Sequence, residues 1–282
     1  MLFLSLFTTL VHASETTGQV TTALTVNRIA LSSIGQYGLN IPKWEQDGNA
    51  LRQGTGITTI GEISATPAFT RAGGRVTITP LAILKLQAYG FGHYYFGNFQ
   101  TVVGYDTASS VYGDNNAIAD YVASEEANGV TRQTSGMGWS AGAKMTLQAK
   151  VGNIVFSNTV DFGQQTVVKP EDVVGTATFE REREVMVNFD GDQIVENNTL
   201  LLYQVDRSED QYLRVGNLTT YRHSIGADDT MLRSGLLAVY QPKDKRNHVL
   251  IVQHYLQDNL GYTSRNVSGF SPYIAYANKV LF

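Results

Sequence analysis

The amino-acid sequence predicts an all-β fold, a closed antiparallel up-and-down barrel of about twelve strands that cross a membrane. Three observations lead to this prediction. Apolar and polar residues alternate with a period of two along most of the chain. The alternating runs are long, and only 16% of the residues are charged, against about 25% in a typical soluble domain. The chain therefore alternates like a sheet but lacks the charged surface of a water-exposed one.

The alternation is clearest between residues 136 and 150, where the sequence reads GMGWSAGAKMTLQAK. Every odd position from Met137 to Ala149 is apolar, and the even positions carry Gly, Ser, Lys, Thr and Gln. A turn at residues 151–153 and a second alternating run over residues 154–162 follow. Two such runs around a short turn predict a β-hairpin.

The same pattern predicts eight further strands. Strands in soluble domains usually have about five or six residues, whereas a tilted strand that crosses a bilayer needs about nine to eleven, and most of these runs reach that length. Residues 20–31 and 94–105 are two weaker candidates, so we predict twelve strands, with ten as the alternative. The eight strands are predicted at residues 57–70, 75–89, 176–189, 193–205, 211–225, 230–241, 248–260 and 269–282.

Residues 1–13 form the apolar run MLFLSLFTTLVHA, which ends in a small-x-small pattern. This pattern precedes signal-peptidase cuts, so it predicts the remnant of a signal peptide, followed by a single barrel domain over residues 14–282. The run has no positively charged residue, and the other interpretation is a buried first strand or helix.

Composition and charge exclude several function classes. The chain has no cysteine, which rules out disulfides and thiolate metal sites. Its net charge of -4 and pI near 5.7 give no basic excess, which argues against a nucleic-acid partner. The sequence holds no phosphate-binding, dinucleotide or metal-ligating motif, so we predict neither a cofactor nor a metal site.

The chain closes on YIAYANKVLF, residues 273–282, with Tyr276, Val280 and Phe282 on one face. This strand resembles the closing strand of bacterial outer-membrane β-barrel proteins, which ends in Phe after alternating apolar or aromatic residues. The resemblance covers this strand and the general pattern of the chain, and Asn278 departs from it. It implies a location in the bacterial outer membrane, contact with outer-membrane lipid and lipopolysaccharide, and recognition of Tyr276, Val280 and Phe282 by the barrel-assembly machinery.

A polar segment at residues 106–135 interrupts the strand pattern, and loops of this length are usually functional or disordered. Counting strands back from the C-terminus places it on the periplasmic side, where bacterial barrels have short turns. A missed strand, or a segment folded into the lumen as a plug, would remove this conflict.

In a membrane barrel the apolar face is outside and the polar face lines the lumen. The run FEREREV, residues 179–185, then places three glutamates on an acidic lumen wall and its arginines toward the bilayer edge. Alternatively, this strand extends past the membrane and both of its faces are exposed to water. Charges of both signs could select solutes, or pair and fill the interior. The predicted lumen-lining residues are Glu62, Lys85, Lys144, Asp161, Glu180, Glu182, Glu184, Arg214, Arg222 and Arg233.

These residues predict a passive, porin-like channel for small polar solutes. The alternatives are a non-conducting structural or adhesive barrel that acts through its loops, and a lipid-modifying enzyme. The known enzyme barrels carry a His-x-Ser pattern, which occurs here only at residues 12–14. His223 and Ser224 are adjacent and face opposite ways, and His93 has no acidic neighbour in sequence, so we predict no catalytic residues and no enzyme.

Overall fold

Twelve long antiparallel strands form the wall of a closed barrel in the computed structural model of the chain. The structure describes residues 15–26, 30–99, 101–109, 115–180, 182–205, 211–242, 247–258 and 273–281. The predicted signal peptide and Phe282 lie outside these residues. The first seven wall strands are β1 (Glu15–Val26), β2 (Ala30–Pro42), β3 (Gly56–Ala65), β4 (Phe69–Leu81), β5 (Leu84–Tyr95), β6 (Gly136–Val151) and β7 (Ile154–Val167).

A short hairpin, β8 (Ala177–Glu180) and β9 (Val185–Asn188), follows the seventh wall strand. Its two strands pair with each other, and Ala177 forms an isolated bridge with Tyr105. One helix, α1 (Asn115–Ala127), lies between β5 and β6. The remaining wall strands are β10 (Asp192–Gln204), β11 (Tyr212–Ser224), β12 (Asp229–Gln241), β13 (Asn247–Asp258) and β14 (Tyr273–Leu281).

Each wall strand pairs with its neighbour along the chain, except that β7 pairs with β10 across the β8–β9 hairpin. The barrel closes where β1 pairs with β14, in a register that runs from Gln19 opposite Leu281 to Val26 opposite Ile274. The predicted closed, antiparallel, twelve-stranded fold is therefore confirmed.

The individual strand bounds needed correction in the first third of the chain. The predicted turn at residues 71–74 lies inside β4, so residues 57–89 form most of three strands rather than two. A Cβ on Gly73 would lie 2.1 Å from the carbonyl oxygen of Gly90. The glycines at this point therefore mark a close approach of two backbones, not a turn. Residues 94–105 are not a strand, since β5 ends at Tyr95, and β2 was missed.

The predicted strand at residues 176–189 is wrong, because these residues fold inside the barrel as β8 and β9. Removing it from the wall also moves residues 106–135 to the other end of the barrel. The start of β1 at Glu15, the end of β14 at Leu281, and the turns at 82–83 and 152–153 share one end, here called the terminal end. The turn at 66–68 and the long connections 96–135 and 168–191 share the other, here called the loop end.

The wall is apolar outside and polar inside. Along β6 the even-numbered residues from Gly138 to Gln148 are less exposed than the odd-numbered residues between them. Met145 is 45% exposed, while Ser140 on the opposite face is 4% exposed. The outward face of β7 continues this band with Phe156, Val160 and Phe162. The barrel is thus inverted relative to a soluble one.

Apolar packing fills the loop end of the barrel around the β8–β9 hairpin. One cluster joins the hairpin to the wall, and a second joins it to α1, which covers this end. No helix in the described part of the chain is long and apolar enough to span a membrane. The cluster between the hairpin and the wall contains Phe69, Tyr95, Val102, Val167, Val173, Val185, Val187, Phe189, Ile194 and Met231. The cluster between the hairpin and α1 contains Val103, Tyr105, Ile118, Val122, Ala177, Phe179, Met186 and Ala227.

Candidate functional site

The β8–β9 hairpin enters the lumen from the loop end, and we call it the plug hairpin. Its turn, residues 180 and 182–184 of the described chain, is the plug tip. The Glu180 carboxylate accepts a hydrogen bond from the Arg183 amide at 2.5 Å, and the Glu180 carbonyl accepts one from the Glu184 amide at 2.8 Å. Glu184 adopts a φ of 56°, which is unusual for a residue other than glycine. The tip is therefore a tight turn that directs charged side chains toward the wall.

Arg183 connects the plug tip to three wall strands. Its guanidinium lies 3.0 Å from the carboxylate of Asp161 on β7 and 3.7 Å from that of Glu196 on β10. It also donates to the hydroxyl of Tyr89 on β5 at 2.7 Å, and this hydroxyl donates to Asp161 at 2.9 Å. Arg183 was predicted to lie toward the bilayer edge, and that prediction is wrong.

Glu184 connects the tip to the opposite part of the wall. Its carboxylate lies 2.6 Å from the guanidinium of Arg233 on β12 and 3.4 Å from that of Arg222 on β11. Tyr255 on β13 donates to the same carboxylate at 3.4 Å. Arg222 also donates to Glu196 at 2.7 Å, so the two sides of the network are joined.

Glu182 and Glu180 complete the ring of contacts. Glu182 forms an ion pair with Arg71 on β4, and Arg71 also binds Glu62 on β3 at 2.5 Å. Glu180 accepts a hydrogen bond from Tyr95 on β5 at 3.2 Å. The tip is thus held, directly or through one side chain, by strands from β3 to β13.

Apolar packing and ion pairs have different roles in holding the plug hairpin. Val185, Met186 and Val187 are fully buried, and burial of such side chains stabilises a folded segment. Burying an ion pair gains little net free energy, but removing one partner of a buried pair typically costs about 3–5 kcal/mol. The apolar clusters therefore supply stability, and the ion pairs fix the position of the tip.

The structure places the predicted lumen residues in three groups. Glu62, Lys144, Asp161, Arg222 and Arg233 are wall residues that take part in the network. Lys85 and Arg214 share the inward faces of β5 and β11 closer to the terminal end. Glu180, Glu182 and Glu184 belong to the plug hairpin, so the predicted acidic wall is wrong. That these residues line a permeation path remains a prediction.

Sequence reasoning missed five wall residues of the network, Arg71, Tyr89, Tyr95, Glu196 and Tyr255. Arg71 was assigned to a turn, because the glycines that follow it suggested one. Tyr89 lies on the same face of β5 as the predicted lumen residue Lys85, and Glu196 lies on the same face of β10 as the polar residue Asn198. The period of two could therefore have identified both as inward-facing. Their pairing with the plug tip has no signal in a single sequence.

A polar cavity of about 160 Å³ lies beside the plug tip on the lumen side. Five cationic side chains and three carboxylates line it, together with the polar or aromatic side chains of four further residues. The lining residues are Arg71, Arg75, Lys144, Arg183 and Arg222; Glu62, Glu182 and Glu196; and Gln87, Tyr89, Phe91 and Ser140.

His93 also faces this region, and although it has no acidic neighbour in sequence, Glu182 of the plug tip lies near it in space. Its Nε2 lies 2.9 Å from Ser140 Oγ, and its Nδ1 lies 3.9 Å from Glu182. A separation of 3.9 Å is too long for a hydrogen bond, and Glu182 is already paired with Arg71. The three groups therefore do not form a hydrogen-bonded Ser-His-acid relay in this conformation. Among the described residues, no group of three or more His, Asp or Glu side chains is placed to hold a metal.

Arg132 ties α1 to the loop end of the barrel. Its guanidinium lies 2.6 Å from Asp106 and 2.8 Å from Glu125 on α1, and it donates to the carbonyl of Val174 at 3.1 Å. Burial opposes the charge, but the hydrogen bonds to Asp106 and Glu125 raise the pKa of Arg132 above its ordinary value. Arg132 is charged at every working pH.

Replacing Arg132 with glutamine is expected to loosen α1 without unfolding the barrel. The change removes two ion pairs from one part-buried site, and the wall strands do not depend on them. Hydrogen exchange should become faster in residues 115–127, while the thermal midpoint of the barrel should change little. Glu126→Gln, at an exposed position of α1, is the control. Unchanged exchange in α1 would contradict this role.

The surface of the barrel decides what kind of protein this is. A closed barrel leaves no unpaired strand edge, and an outward apolar band with a polar interior suits a bilayer. An even number of antiparallel strands, with both termini at one end, is the arrangement of bacterial single-chain barrels. The protein is an outer-membrane β-barrel.

Comparisons with known proteins identify no family. No protein family and no curated protein match the sequence. Among solved structures, the chain is similar to the β-domain of the Bordetella autotransporter BrkA, with 8% identity, a TM-score of 0.47, and coverage of 96% of this chain and 99% of that one. It is also similar to the porin NanC, with 8% identity, a TM-score of 0.43, and coverage of 94% and 98%.

A third similar structure is an outer-membrane channel from Pseudomonas putida, with 10% identity, a TM-score of 0.38, and coverage of 95% of each chain. None of these TM-scores reaches 0.5, so we draw nothing about function from the likenesses.

Proposed function

We propose that this protein is an outer-membrane channel for small polar solutes, and that the plug hairpin closes it in the conformation described above. The carrying observation is that a separate chain segment, the plug hairpin, is held against the inner wall by ion pairs at its tip. A segment positioned in this way can leave without disrupting a single pair of wall strands.

The width of the barrel supports this proposal. Side chains just fill the interior of an eight-stranded barrel, and larger barrels enclose cavities or channels. A twelve-stranded wall therefore encloses space beyond what its own side chains fill, and an inserted segment can occupy that space. Between the plug tip and the terminal end the inward faces carry hydroxyl and amide groups, which suit polar solutes. Examples are Thr77, Gln87, Thr146, Gln148, Thr159 and Asn198.

A second candidate function is a non-conducting barrel that acts through its loop end. The observation that favours it is the apolar packing between the plug hairpin and the wall, in which Val185, Met186 and Val187 have no exposed surface. Apolar contacts of this kind hold the hairpin in place whatever happens to the ion pairs.

Single-channel recording in planar bilayers separates the two candidates. The test variant neutralises the plug tip by Glu182→Gln, Arg183→Gln and Glu184→Gln. We expect the wild-type protein to stay closed with rare openings, and the tip variant to be open for a much larger fraction of the time, since its tip has lost the charges that position it. Heat-modifiable migration on a gel shows that each protein is folded.

The matched control neutralises two exposed charges on α1, by Asp120→Asn and Glu126→Gln, and should conduct like the wild-type protein. A folded tip variant that shows no conductance at any voltage would overturn the channel proposal and favour the non-conducting barrel.

A further inference from the structure

The charge of the cavity beside the plug tip differs in sign from that of the whole chain. The chain carries a net charge of -4, yet the cavity is lined by five cationic side chains and three carboxylates. A low-dielectric, enclosed site with an excess of one sign concentrates the field and attracts ions of the opposite sign. Two carboxylates outside the lining, Asp161 and Glu184, pair with Lys144, Arg183 and Arg222, so the cationic excess belongs to the side chains that line the cavity.

We propose that this cavity binds a small oxyanion, a carboxylate or phosphate group carried by the solute, and that its binding loosens the plug tip. The proposal rests on the proposed channel function, for which it names the solute class. The cavity of about 160 Å³ has room for such a group and a few waters, since one water occupies about 30 Å³ in the liquid.

Two cations are placed to receive the anion. Arg75 has one carboxylate contact, to Glu62 at 3.3 Å, and its side chain is 25% exposed. Lys144 lies 3.1 Å from Asp161, and its side chain is 33% exposed. Arg183 and Arg222, by contrast, are only 12% exposed. A guanidinium has five N–H donors and an ammonium three, so Arg75 and Lys144 can each donate to a further oxygen without leaving their partners.

Arg71 offers a third donor on the same wall. Its Nε atom is buried and has no hydrogen-bond partner among the described residues. A buried donor left unpaired is costly. Arg71 lines the cavity, so an oxyanion bound there could accept a hydrogen bond from this Nε and relieve the cost. The unpaired donor supports the proposal independently of the charge count.

The approach from the terminal end is also cationic. Lys85, Arg214 and Lys279 lie on inward faces of β5, β11 and β14 between that end and the cavity. Cationic rings of this kind select anions in pores for anions and phosphate. They would raise the local concentration of an anionic solute at the cavity.

Binding is coupled to the plug tip because the same guanidiniums serve both. Arg71 holds Glu182, and Arg222 contacts both Glu184 and Glu196. Arg222 lines the cavity, so an oxyanion held there by Arg75 and Lys144 competes with Glu184 for the Arg222 guanidinium. A ligand shifts a conformational equilibrium only through such differential contacts, and here they weaken the hold on the tip.

The test measures the binding of inorganic phosphate and of acetate to the folded wild-type protein in detergent, at constant ionic strength with chloride as the compensating anion. Titration calorimetry should show saturable binding of at least one of them. The two arms distinguish a phosphate-bearing from a carboxylate-bearing solute, and binding of either supports the site.

The variant Arg75→Gln/Lys144→Gln should bind the anion at least about tenfold more weakly, since it loses two charge-assisted donors. Each substitution leaves its carboxylate paired, Glu62 with Arg71 and Asp161 with Arg183, so the variant should fold. Lys150→Gln, near the β6–β7 turn and outside the cavity lining, should bind like the wild-type protein. No saturable binding to the wild-type protein, or equal affinity in the double variant, would overturn the site.

This binding test needs no conductance, so its failure leaves the channel proposal standing on the recordings of the tip variant. Conversely, a tip variant that shows no conductance but still binds phosphate would overturn the channel proposal and support the anion site. In a salt gradient the open tip variant should show an anion-selective reversal potential, and cation selectivity would contradict the assigned solute class.

Discussion

Glu184→Ala is expected to release the plug hairpin from the wall, whereas Glu182→Ala is expected to leave it docked. The Glu184 side chain is 7% exposed and lies between Arg222 and Arg233, which are about as deeply buried. Its removal takes away the carboxylate that contacts the buried Arg233 guanidinium and one of the two that contact Arg222, which keeps Glu196. Breaking a buried pair in this way typically costs about 3–5 kcal/mol.

Glu182 is the matched control because it has the same charge and the same turn but a different environment. Its side chain is 30% exposed and its ion pair is with Arg71, which retains Glu62 after the substitution. Such part-exposed pairs contribute about 0–1 kcal/mol. Hydrogen exchange over residues 182–189 measures the release of the hairpin directly. Equal exchange rates in the two variants would show that the ring of ion pairs does not position the tip.

Met145→Arg is expected to destabilise the barrel in a bilayer by about 2–4 kcal/mol, and Val151→Arg by about 0–1 kcal/mol. Met145 points outward in the middle of β6 and is 45% exposed, whereas Val151 lies at the end of that strand and is 76% exposed. An arginine is most costly at the bilayer centre and cheap at the interface.

Denaturant-dependent folding into lipid vesicles measures both changes, because the free energy of unfolding falls linearly with denaturant concentration. Val151→Arg controls for the loss of apolar contact and for the added charge. If both substitutions proved equally cheap, the outer face would be in contact with water, and the assignment of inside and outside would be reversed.

The wall of the barrel could be predicted from the sequence because its signal is local. In β6 and β7 the polarity of each residue indicates whether it faces outward or inward. The hairpin from Gly136 to Val167 therefore follows from a period of two. The same signal failed in β4, where Gly73 and Gly74 suggested a turn. What requires glycine there is the approach of Gly90 from the neighbouring strand, which no local pattern reveals.

The plug hairpin and its site could not be predicted, for a related reason. Residues 179–185 alternate as well as any wall strand, and only their partners show that they fold inside. Those partners are distant in sequence: Glu184 is 49 residues from Arg233, and Arg183 is 94 residues from Tyr89. The inward charges were therefore identified as residue types, while the pairing that gives them a role depends on the closed wall.

The seam between β1 and β14 has a consequence for how the molecule is assembled. It joins Gln19 to Leu281, and contacts so distant in sequence form late, because the entropy of loop closure must be overcome before they bring any gain. The partners of the plug tip, from Arg71 on β4 to Tyr255 on β13, reach their final spacing only when that seam is made. In a chain whose seam is still open, the charges of the plug tip therefore lack their full set of partners.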